Sequence, residues 1–150
     1  MRSTTELEPP ANAFTHRFLV PASDIDELGH AGNVAWVRWV NEAAGAHSAS
    51  VGLDLAAYKE LGVVWVVRRH DVEYLGQALA GEGVDAVTWV AAQRGATSLR
   101  RTLFRRADDA QRVLARAETT WALVSISTGR PTRIPKELLL RYGFAGDGGA

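Results

Sequence analysis

The chain has 150 residues, which is enough for one domain with a single hydrophobic core and leaves little room for a second. Its 17 basic and 17 acidic side chains cancel, and no lysine or arginine block is long enough to indicate a nucleic-acid-binding surface. It has no cysteine, which excludes a disulfide framework, a thiolate metal cluster and a cysteine nucleophile.

The two ends of the chain are expected to be flexible. Residues 1–12 are polar and end in a proline-containing stretch, and residues 143–150 are rich in glycine. Apolar runs stay well below the roughly 20 residues that a membrane span needs, and the N-terminus has no apolar signal core. We therefore expect a folded domain over residues 13–142 of a cytoplasmic protein that has no membrane partner.

The folded region is predicted to begin with a strand, a polar loop and a long helix. Residues 14–21 contain aromatic and β-branched residues and end at a proline, which is typical of a strand. From Asn33 the apolar side chains recur at helical spacing on two adjoining stripes, so that only a narrow polar face remains. This helix is therefore expected to be buried on most sides. Its main stripe consists of Trp36, Trp39, Val40, Ala43 and His47.

Small residues fill the second half of the helix, where they would let a sheet approach closely, and Gly52 is placed to end it. A shorter helix, residues 54–61, is predicted to end at Gly62. Four β-like runs follow at hairpin-like spacing, namely residues 63–74, 83–94, 98–106 and 113–127. One strand, one buried helix and then an antiparallel meander predict an α+β fold with a sheet wrapped around the helix.

The loop before the long helix, S-D-I-D-E-L-G-H-A-G-N at residues 23–33, gathers several polar side chains. Asp24 is assigned a structural role, because an aspartate here can form an Asx-turn with its own loop backbone. Asp26 lies seven residues before Asn33, the expected N-cap, and so cannot cap the helix. His30 is left open between a structural group and an acid/base residue. No further ligand at a recognisable spacing accompanies these groups, so a metal site is not expected.

A carboxylate beside the N-terminus of a buried helix is a combination with a chemical use. The free amides of the first helical turn can polarise a carbonyl group, and the carboxylate can act as nucleophile or general base. This pairing suits acyl transfer to water. Serine catalysis is not supported, because the chain lacks a G-x-S-x-G elbow.

The spacing D-x-x-x-H-x-x-N of Asp26, His30 and Asn33, followed by the helix, resembles the signature of hotdog-fold acyl-CoA thioesterases. Within this hydroxybenzoyl-CoA thioesterase-like superfamily, the spacing is similar to that of the long-chain acyl-CoA and acyl-ACP thioesterase branch. The likeness continues in N-E-A at residues 41–43, R-G-A-T-S at residues 94–98 and T-G-R-P-T-R-I-P at residues 128–135.

The resemblance implies a hotdog fold, in which an antiparallel sheet of five or six strands wraps around one long central helix. It implies a homodimer or homotetramer with active sites at the subunit interface. It also implies that Asp26 is the catalytic carboxylate, assisted by His30 and Asn33. The backbone contacts to the substrate would fall on Gly29, Ala31 and Gly32.

Two departures from the family pattern affect the acyl group that the site accepts. The frequent H-V-N-N sequence is His30-Ala31-Gly32-Asn33 here, and the tyrosine that usually follows is Trp36. Glycine widens the conformational range of the loop, and tryptophan fills more volume. Trp36 is a candidate for the acyl pocket, as are Trp39, Val40 and Trp65, although aromatic residues at helical spacing are more often plain core.

Basic residues are needed to hold the phosphates of a coenzyme A handle. The resemblance places Arg94, Arg130, Arg133 and Lys136 near the entrance. Arg100, Arg101, Arg105 and Arg106 are instead assigned to the solvent-exposed face of their strand.

The sequence therefore predicts a hydrolase that cleaves an acyl-CoA thioester to a free acid and thiol, with no cofactor because coenzyme A is part of the substrate. Two alternatives stay open, an acyl-ACP thioesterase and a non-catalytic module that binds acyl thioesters. Hotdog dehydratases resemble a different pattern, H-x-x-x-G-x-x-x-x-P, which none of the four histidines begins.

Overall fold

The computed structural model describes residues 8–143 of the chain. Residues 1–7 and 144–150, which carry most of the two predicted flexible ends, lie outside the described residues. No helix within residues 8–143 combines the length and the apolar character that crossing a membrane requires. The elements in chain order are β1 (Phe14–Leu19), α1 (Asn33–Ser50), α2 (Leu55–Leu61), β2 (Val63–Tyr74), β3 (Gly83–Arg94), β4 (Thr97–Arg106), β5 (Asp109–Ser125) and α3 (Lys136–Arg141).

The strands form one five-stranded sheet in the order β1-β3-β4-β5-β2. Every neighbouring pair is antiparallel, so the predicted α+β fold with an antiparallel sheet is confirmed. β1 and β2 are the two edge strands. β2 has 12 residues and pairs with β5 along one edge. Its other edge has no partner within the described chain.

The largest differences from the predicted elements are the start of β5 and the helix α3. β5 begins at Asp109, because β4 and β5 join in a tight hairpin that pairs Arg106 with Asp109. The sequence prediction began this strand four residues later, at Val113. The short helix α3 follows Pro135, and no sequence pattern had indicated it.

α1 packs against the concave face of the sheet as its apolar spacing predicts. The main stripe is confirmed, because Trp36, Trp39, Val40, Ala43 and His47 are all buried. Trp36 makes edge-on ring contacts with Trp39 and with Phe104 of β4. Burying a large apolar side chain contributes roughly 1.5–3 kcal/mol, so the tryptophan and valine side chains of this stripe contribute substantially to stability.

The cap of α1 differs from the expected one. The N-cap is Gly32 and Asn33 is the first helical residue, so the assignment of Asn33 as N-cap is wrong. Gly32 accepts the backbone N–H of Ala35 at 3.0 Å but has no side chain to cap the free amides of the first turn. By contrast, Asp54 caps α2 with its carboxylate, which accepts the Ala57 N–H at 2.8 Å. The N-terminus of α1 is thus left open where that of α2 is closed.

The assignment of all four β4 arginines to the exposed face is wrong for Arg100. Side chains alternate along a strand, so Arg100 and Arg101 must point to opposite faces. Arg100 lies on the concave face with Thr102 and Phe104 and is only 5% exposed. Arg101 lies on the other face, where it pairs with Glu118 of β5.

Replacing Ala43 tests the close approach of α1 to the sheet. Ala43 is fully buried, so Ala43→Leu should lower the free energy of unfolding by about 1–3 kcal/mol through overpacking. Ala49→Leu, at an exposed position of the same helix, should change it by less than about 0.5 kcal/mol. Urea denaturation of both variants makes the comparison, and equal losses would contradict the packing described here.

Candidate active site

The loop that joins β1 to α1 is closed by its own backbone. The amide of Asp26 donates to the His30 carbonyl at 2.9 Å, and the amide of Gly29 donates to the Asp26 carbonyl at 3.1 Å. Gly29 has φ +86°, a left-handed conformation that glycine adopts without steric cost. This turn presents residue 26 at the start of α1.

Asp24 anchors the loop to the helix. Its side chain is 6% exposed and pairs with the guanidinium of Arg38. It also accepts the indole N–H of Trp39 at 3.2 Å, and its carbonyl accepts the Gly32 amide. The structure thus places Asp24 in a supporting position, although its partners are side chains of α1 instead of the predicted Asx-turn.

Asp26 is exposed and lies against the N-cap of α1. Its Oδ1 accepts the Leu28 amide at 2.9 Å. Its Oδ2 has no hydrogen-bond partner within residues 8–143 and lies 3.5 Å from the point where a Cβ of Gly32 would stand. One oxygen therefore holds the side chain in place and the other is free for chemistry.

Of the six backbone amides of residues 29–34, three are free and three are not. Gly29, Ala31 and Gly32 already donate to the carbonyls of Asp26, Ala78 and Asp24, respectively. In the part of the chain that the structure describes, the amides of His30, Asn33 and Val34 have no acceptor. The amides left free to polarise a carbonyl are thus those of His30, Asn33 and Val34, and the substrate contacts predicted for Gly29, Ala31 and Gly32 stay predictions.

The remaining predicted residues of the loop and helix are placed as follows. The half-buried His30 ring has Nδ1 3.3 Å from the Ala31 carbonyl, which can only accept, so Nδ1 carries the proton. No hydrogen bond joins this ring to Asp26 among the described residues. Asn33 is exposed at the helix start, and Trp36 is 2% exposed within the core.

The predicted phosphate-binding arginines lie at the other end of the sheet. Arg94, Arg130 and Arg133 are all exposed. A hydrogen bond from the Ile134 amide to the Gly95 carbonyl, 3.0 Å long, brings the turn with Arg94 beside the segment with the other two. The segments that carry these three arginines, here called the arginine cluster, are therefore adjacent, and within one chain they lie at the opposite end of the sheet from Asp26.

A cavity of about 310 Å³ opens beside this second end. The second half of α1, α2 and the start of β2 form its sides, and strands β3 to β5 form its floor. Most of its wall is apolar, including Leu53, Val64, Val90 and the ring faces of Trp65 and Trp121. From Asn33 to the first helical residue of the wall, Asn41, the helix rises about 12 Å.

The floor of the cavity carries Arg100. Its Nη1 donates to His47 Nδ1 at 2.9 Å and to the Thr88 hydroxyl at 3.1 Å. Because arginine can only donate, His47 must be neutral with its proton on Nε2. Burial, reinforced by the charge of Arg100, lowers the pKa of His47 to about 4.

A row of hydroxyl groups continues the polar floor. Trp65 Nε1 donates to the Tyr58 hydroxyl at 2.9 Å, which lies 2.8 Å from the Tyr142 hydroxyl. The Tyr142 hydroxyl lies 2.5 Å from Ser48 Oγ. Burial raises the pKa of Tyr142 well above its usual value, so the phenol stays neutral. The sequence analysis proposed Trp65 for the acyl pocket but none of the three hydroxyl groups. For Arg100, the available sequence signal was its position next to Arg101, because neighbouring side chains on a strand point to opposite faces.

Among residues 8–143, no three histidine, aspartate or glutamate side chains come together as a metal site would require. The expectation that the chain uses no metal and no cofactor stays a prediction.

The low pKa of His47 predicts a pH dependence of stability. Between pH 6.5 and about pH 4 the unfolded chain binds a proton at this residue that the folded chain does not, so folding weakens as the pH falls. His47→Gln keeps an acceptor for Arg100 and should remove up to about 3 kcal/mol of this loss. Urea denaturation from pH 4 to 8 measures it, and parallel curves for both proteins would show that His47 is not the cause.

Solved structures share this architecture. A Lactobacillus plantarum protein assigned as an oleoyl thioesterase has a TM-score of 0.83 and 23% identity over 90% of this chain and 53% of that one, so this chain spans about half its length. A 1,4-dihydroxy-2-naphthoyl-CoA thioesterase from Synechocystis has a TM-score of 0.79 and 17% identity, covering 87% and 95%. A Staphylococcus aureus protein solved in complex with CoA has a TM-score of 0.79 and 16% identity, covering 86% and 80%. These likenesses confirm the hotdog fold.

No curated protein matches the sequence. The family model of the thioesterase-like superfamily matches residues 20–141, from the end of β1 through α3. The matched range includes the Asp26 loop, α1, the cavity and the arginine cluster. The chain belongs to the thioesterase-like superfamily.

Proposed function

We propose that the protein hydrolyses an acyl-CoA thioester to a free acid and coenzyme A, with Asp26 as the catalytic carboxylate. The observation that carries this proposal is the free Oδ2 of Asp26 beside the uncapped N-terminus of α1. A carboxylate and a set of unpaired amides at one point are the two components that acyl transfer needs.

The amides of Asn33 and Val34, with that of His30, are the donors for the thioester carbonyl oxygen. As negative charge develops on this oxygen, the partial positive charge of the helix N-terminus stabilises it. Asp26 either attacks the carbonyl carbon or removes a proton from the attacking water. The carbon–sulfur bond then breaks, and the thiolate leaves and takes up a proton. If Asp26 is the nucleophile, this step leaves a mixed anhydride on Asp26, and water hydrolyses it to the free acid and the regenerated carboxylate. His30, with Nε2 open, would position the substrate or water.

We further propose that the active chain is a homodimer joined through β2. An unpaired strand of 12 residues is a ready template for another strand, and monomeric proteins usually protect such edges. Val66, Tyr74 and Leu75 expose more than two fifths of their surface on and next to this strand. A second copy of β2, paired antiparallel, would cover them. A tetramer built from two such dimers is the larger alternative.

The same pairing would bring the two ends of the site together. The loop after β2 contacts the Asp26 loop through the bond from the Ala31 amide to the Ala78 carbonyl, 2.9 Å long. In an antiparallel pair, the end of one β2 lies opposite the start of the other, where Val64 and Trp65 line the cavity. Asp26 of one subunit would then face the cavity and arginine cluster of its partner.

Coenzyme A is the favoured handle because Arg94, Arg130 and Arg133 are exposed on adjacent segments at the same end of the sheet as the cavity. The Synechocystis and Staphylococcus aureus proteins, one a CoA thioesterase and one solved with CoA, support the same choice. An acyl-ACP thioesterase and a non-catalytic acyl-thioester binder remain the rivals. Comparing hydrolysis of one acyl chain on both carriers separates them. A cytoplasmic location stays a prediction.

Asp26→Asn tests the catalytic assignment. It should lower kcat by at least about 100-fold, because it removes the nucleophile or base while the exposed side chain leaves stability unchanged. Release of free thiol from a panel of acyl-CoA substrates measures the rate, and urea denaturation measures stability. Glu27→Gln, which removes the neighbouring exposed carboxylate, is the matched control and should keep full activity.

Asp24→Asn, unlike Asp26→Asn, should lower the stability of the protein. It weakens hydrogen bonds that fix the loop on α1, so it should lower the free energy of unfolding by about 1–3 kcal/mol.

Full activity of Asp26→Asn would refute the proposed chemistry. Label from ¹⁸O water entering the Asp26 carboxylate in a single turnover would identify it as nucleophile instead of base.

Val66→Asp tests the dimer, because it places a charge at the proposed seam of β2. Sedimentation should show monomers at concentrations where the unchanged protein is dimeric, and activity should fall in parallel. Thr15→Asp on the other edge strand, β1, is the control and should change neither. An unchanged protein that is active and monomeric would contradict the shared site.

A further inference from the structure

Arg100 is a buried cation without an acidic partner. It is 5% exposed, and no carboxylate in the part of the chain that the structure describes forms an ion pair with it. Burying an unpaired charge is costly, so such a group calls for an explanation. Its recorded partners, His47 and Thr88, are both neutral.

One edge of the Arg100 guanidinium is unused. Both recorded hydrogen bonds come from Nη1, and Tyr142 covers the face of the group at 5.7 Å. Nε and Nη2 have no hydrogen-bond partner in the described chain, and neither nitrogen is fully shielded from solvent. Because Arg100 lines the cavity, this edge opens into it.

The free edge has the shape that a carboxylate fits. Nε and Nη2 together form a fork that donates two parallel hydrogen bonds to the two oxygens of a carboxylate. Arg17 uses the same two nitrogens to hold Asp85, at 2.6 and 2.9 Å. In Arg100 that fork is directed at a cavity instead of at an acidic side chain.

Other polar groups near this end of the concave face are also unpartnered. Trp121 lines the cavity, and its Nε1 has no acceptor within residues 8–143. Gln93 is 8% exposed beside Ser98 in the sheet register, and neither of its amide atoms has a partner there. Native proteins leave few such groups. Because these three atoms are sealed from the cavity, they add polarity to this end of the site but do not themselves contact a ligand there.

We propose that the cavity binds the far end of an acyl group and that this end carries a carboxylate held by Arg100. The proposal rests on the thioesterase function for its acyl group, but the carboxylate site itself does not depend on hydrolysis. The apolar walls bind the chain between the thioester and the carboxylate. An acyl end bearing only a methyl group would leave the Arg100 fork unpaired and desolvated.

Ligand binding tests the site without any reaction. Hexanoate and 1-hexanol have equal carbon number, and Trp65 and Trp121 in the wall report binding by fluorescence. The carboxylate should bind at least about tenfold more tightly than the alcohol. Arg100→Met, of similar length and uncharged, should abolish this difference. Arg101→Met, one residue away on the opposite face, should preserve it.

Turnover tests the site as part of the enzyme. Two acyl-CoA substrates of six acyl carbons, one ending in a carboxylate and one in a methyl group, are compared by kcat/KM. The unchanged protein should prefer the carboxylate by at least about tenfold, mainly through KM, and Arg100→Met should lose the preference. A loss that is equal for both substrates would mean that Arg100 is only structural.

A second variant covers the case in which Arg100→Met does not fold. Val90 pairs with Arg100 across the sheet and lines the cavity, so Val90→Glu should fill the fork and remove carboxylate binding. Equal binding of hexanoate and 1-hexanol to the unchanged protein overturns the proposal whatever the variants do. Selective carboxylate binding without hydrolysis of any thioester would support this site and refute the proposed function instead.

Discussion

The Asp26 loop and the buried polar groups around Arg100 are positioned by the burial of α1 against the sheet. The contact holds the aromatic side chains of Trp36 and Trp39 on one turn and His47 three turns later. The Asp24 loop is fastened to the same helix, so the orientation of Asp26 depends on the packing of side chains that it never touches. The helix N-terminus is free to act on a substrate because Gly32 provides no cap.

The two ends of α1 differ in chemistry. At its start, loop and helix backbone provide an exposed carboxylate and unpaired amides. At its other end the sheet provides a buried cation, a neutral histidine and a row of hydroxyl groups within apolar walls. The low local polarity keeps His47 and Tyr142 uncharged, so Arg100 holds the sole charge of the floor among the described residues. Such an arrangement favours a ligand that is apolar along most of its length.

Much of the fold could be predicted from the sequence, as could the position of the Asp26 loop at the start of α1, although the roles given to its residues stay predictions. The spacing of the α1 stripe and the positions of the β-like runs are properties of local sequence, and both are confirmed. The contacts of Arg100 with His47, Thr88 and Tyr142 could not be predicted in this way, because they join β4 to α1, β3 and the residue after α3 across the interior. The error at Arg100 came from treating consecutive arginines as one face of a strand, whereas neighbours on a strand face opposite ways. The Gly32 cap was missed because Asn33 has the stronger capping propensity.

The strand order has a consequence for folding during synthesis on the ribosome. β2 leaves the ribosome before β3 and β4 but pairs with β5, the last strand to be made. Until β5 emerges, β2 has both edges free, and α1 has only part of the surface that it finally covers. Long-range pairing of this kind slows folding and exposes strand edges to wrong partners. The emergence of β5, more than the formation of any early hairpin, is therefore the event that commits this domain to its fold.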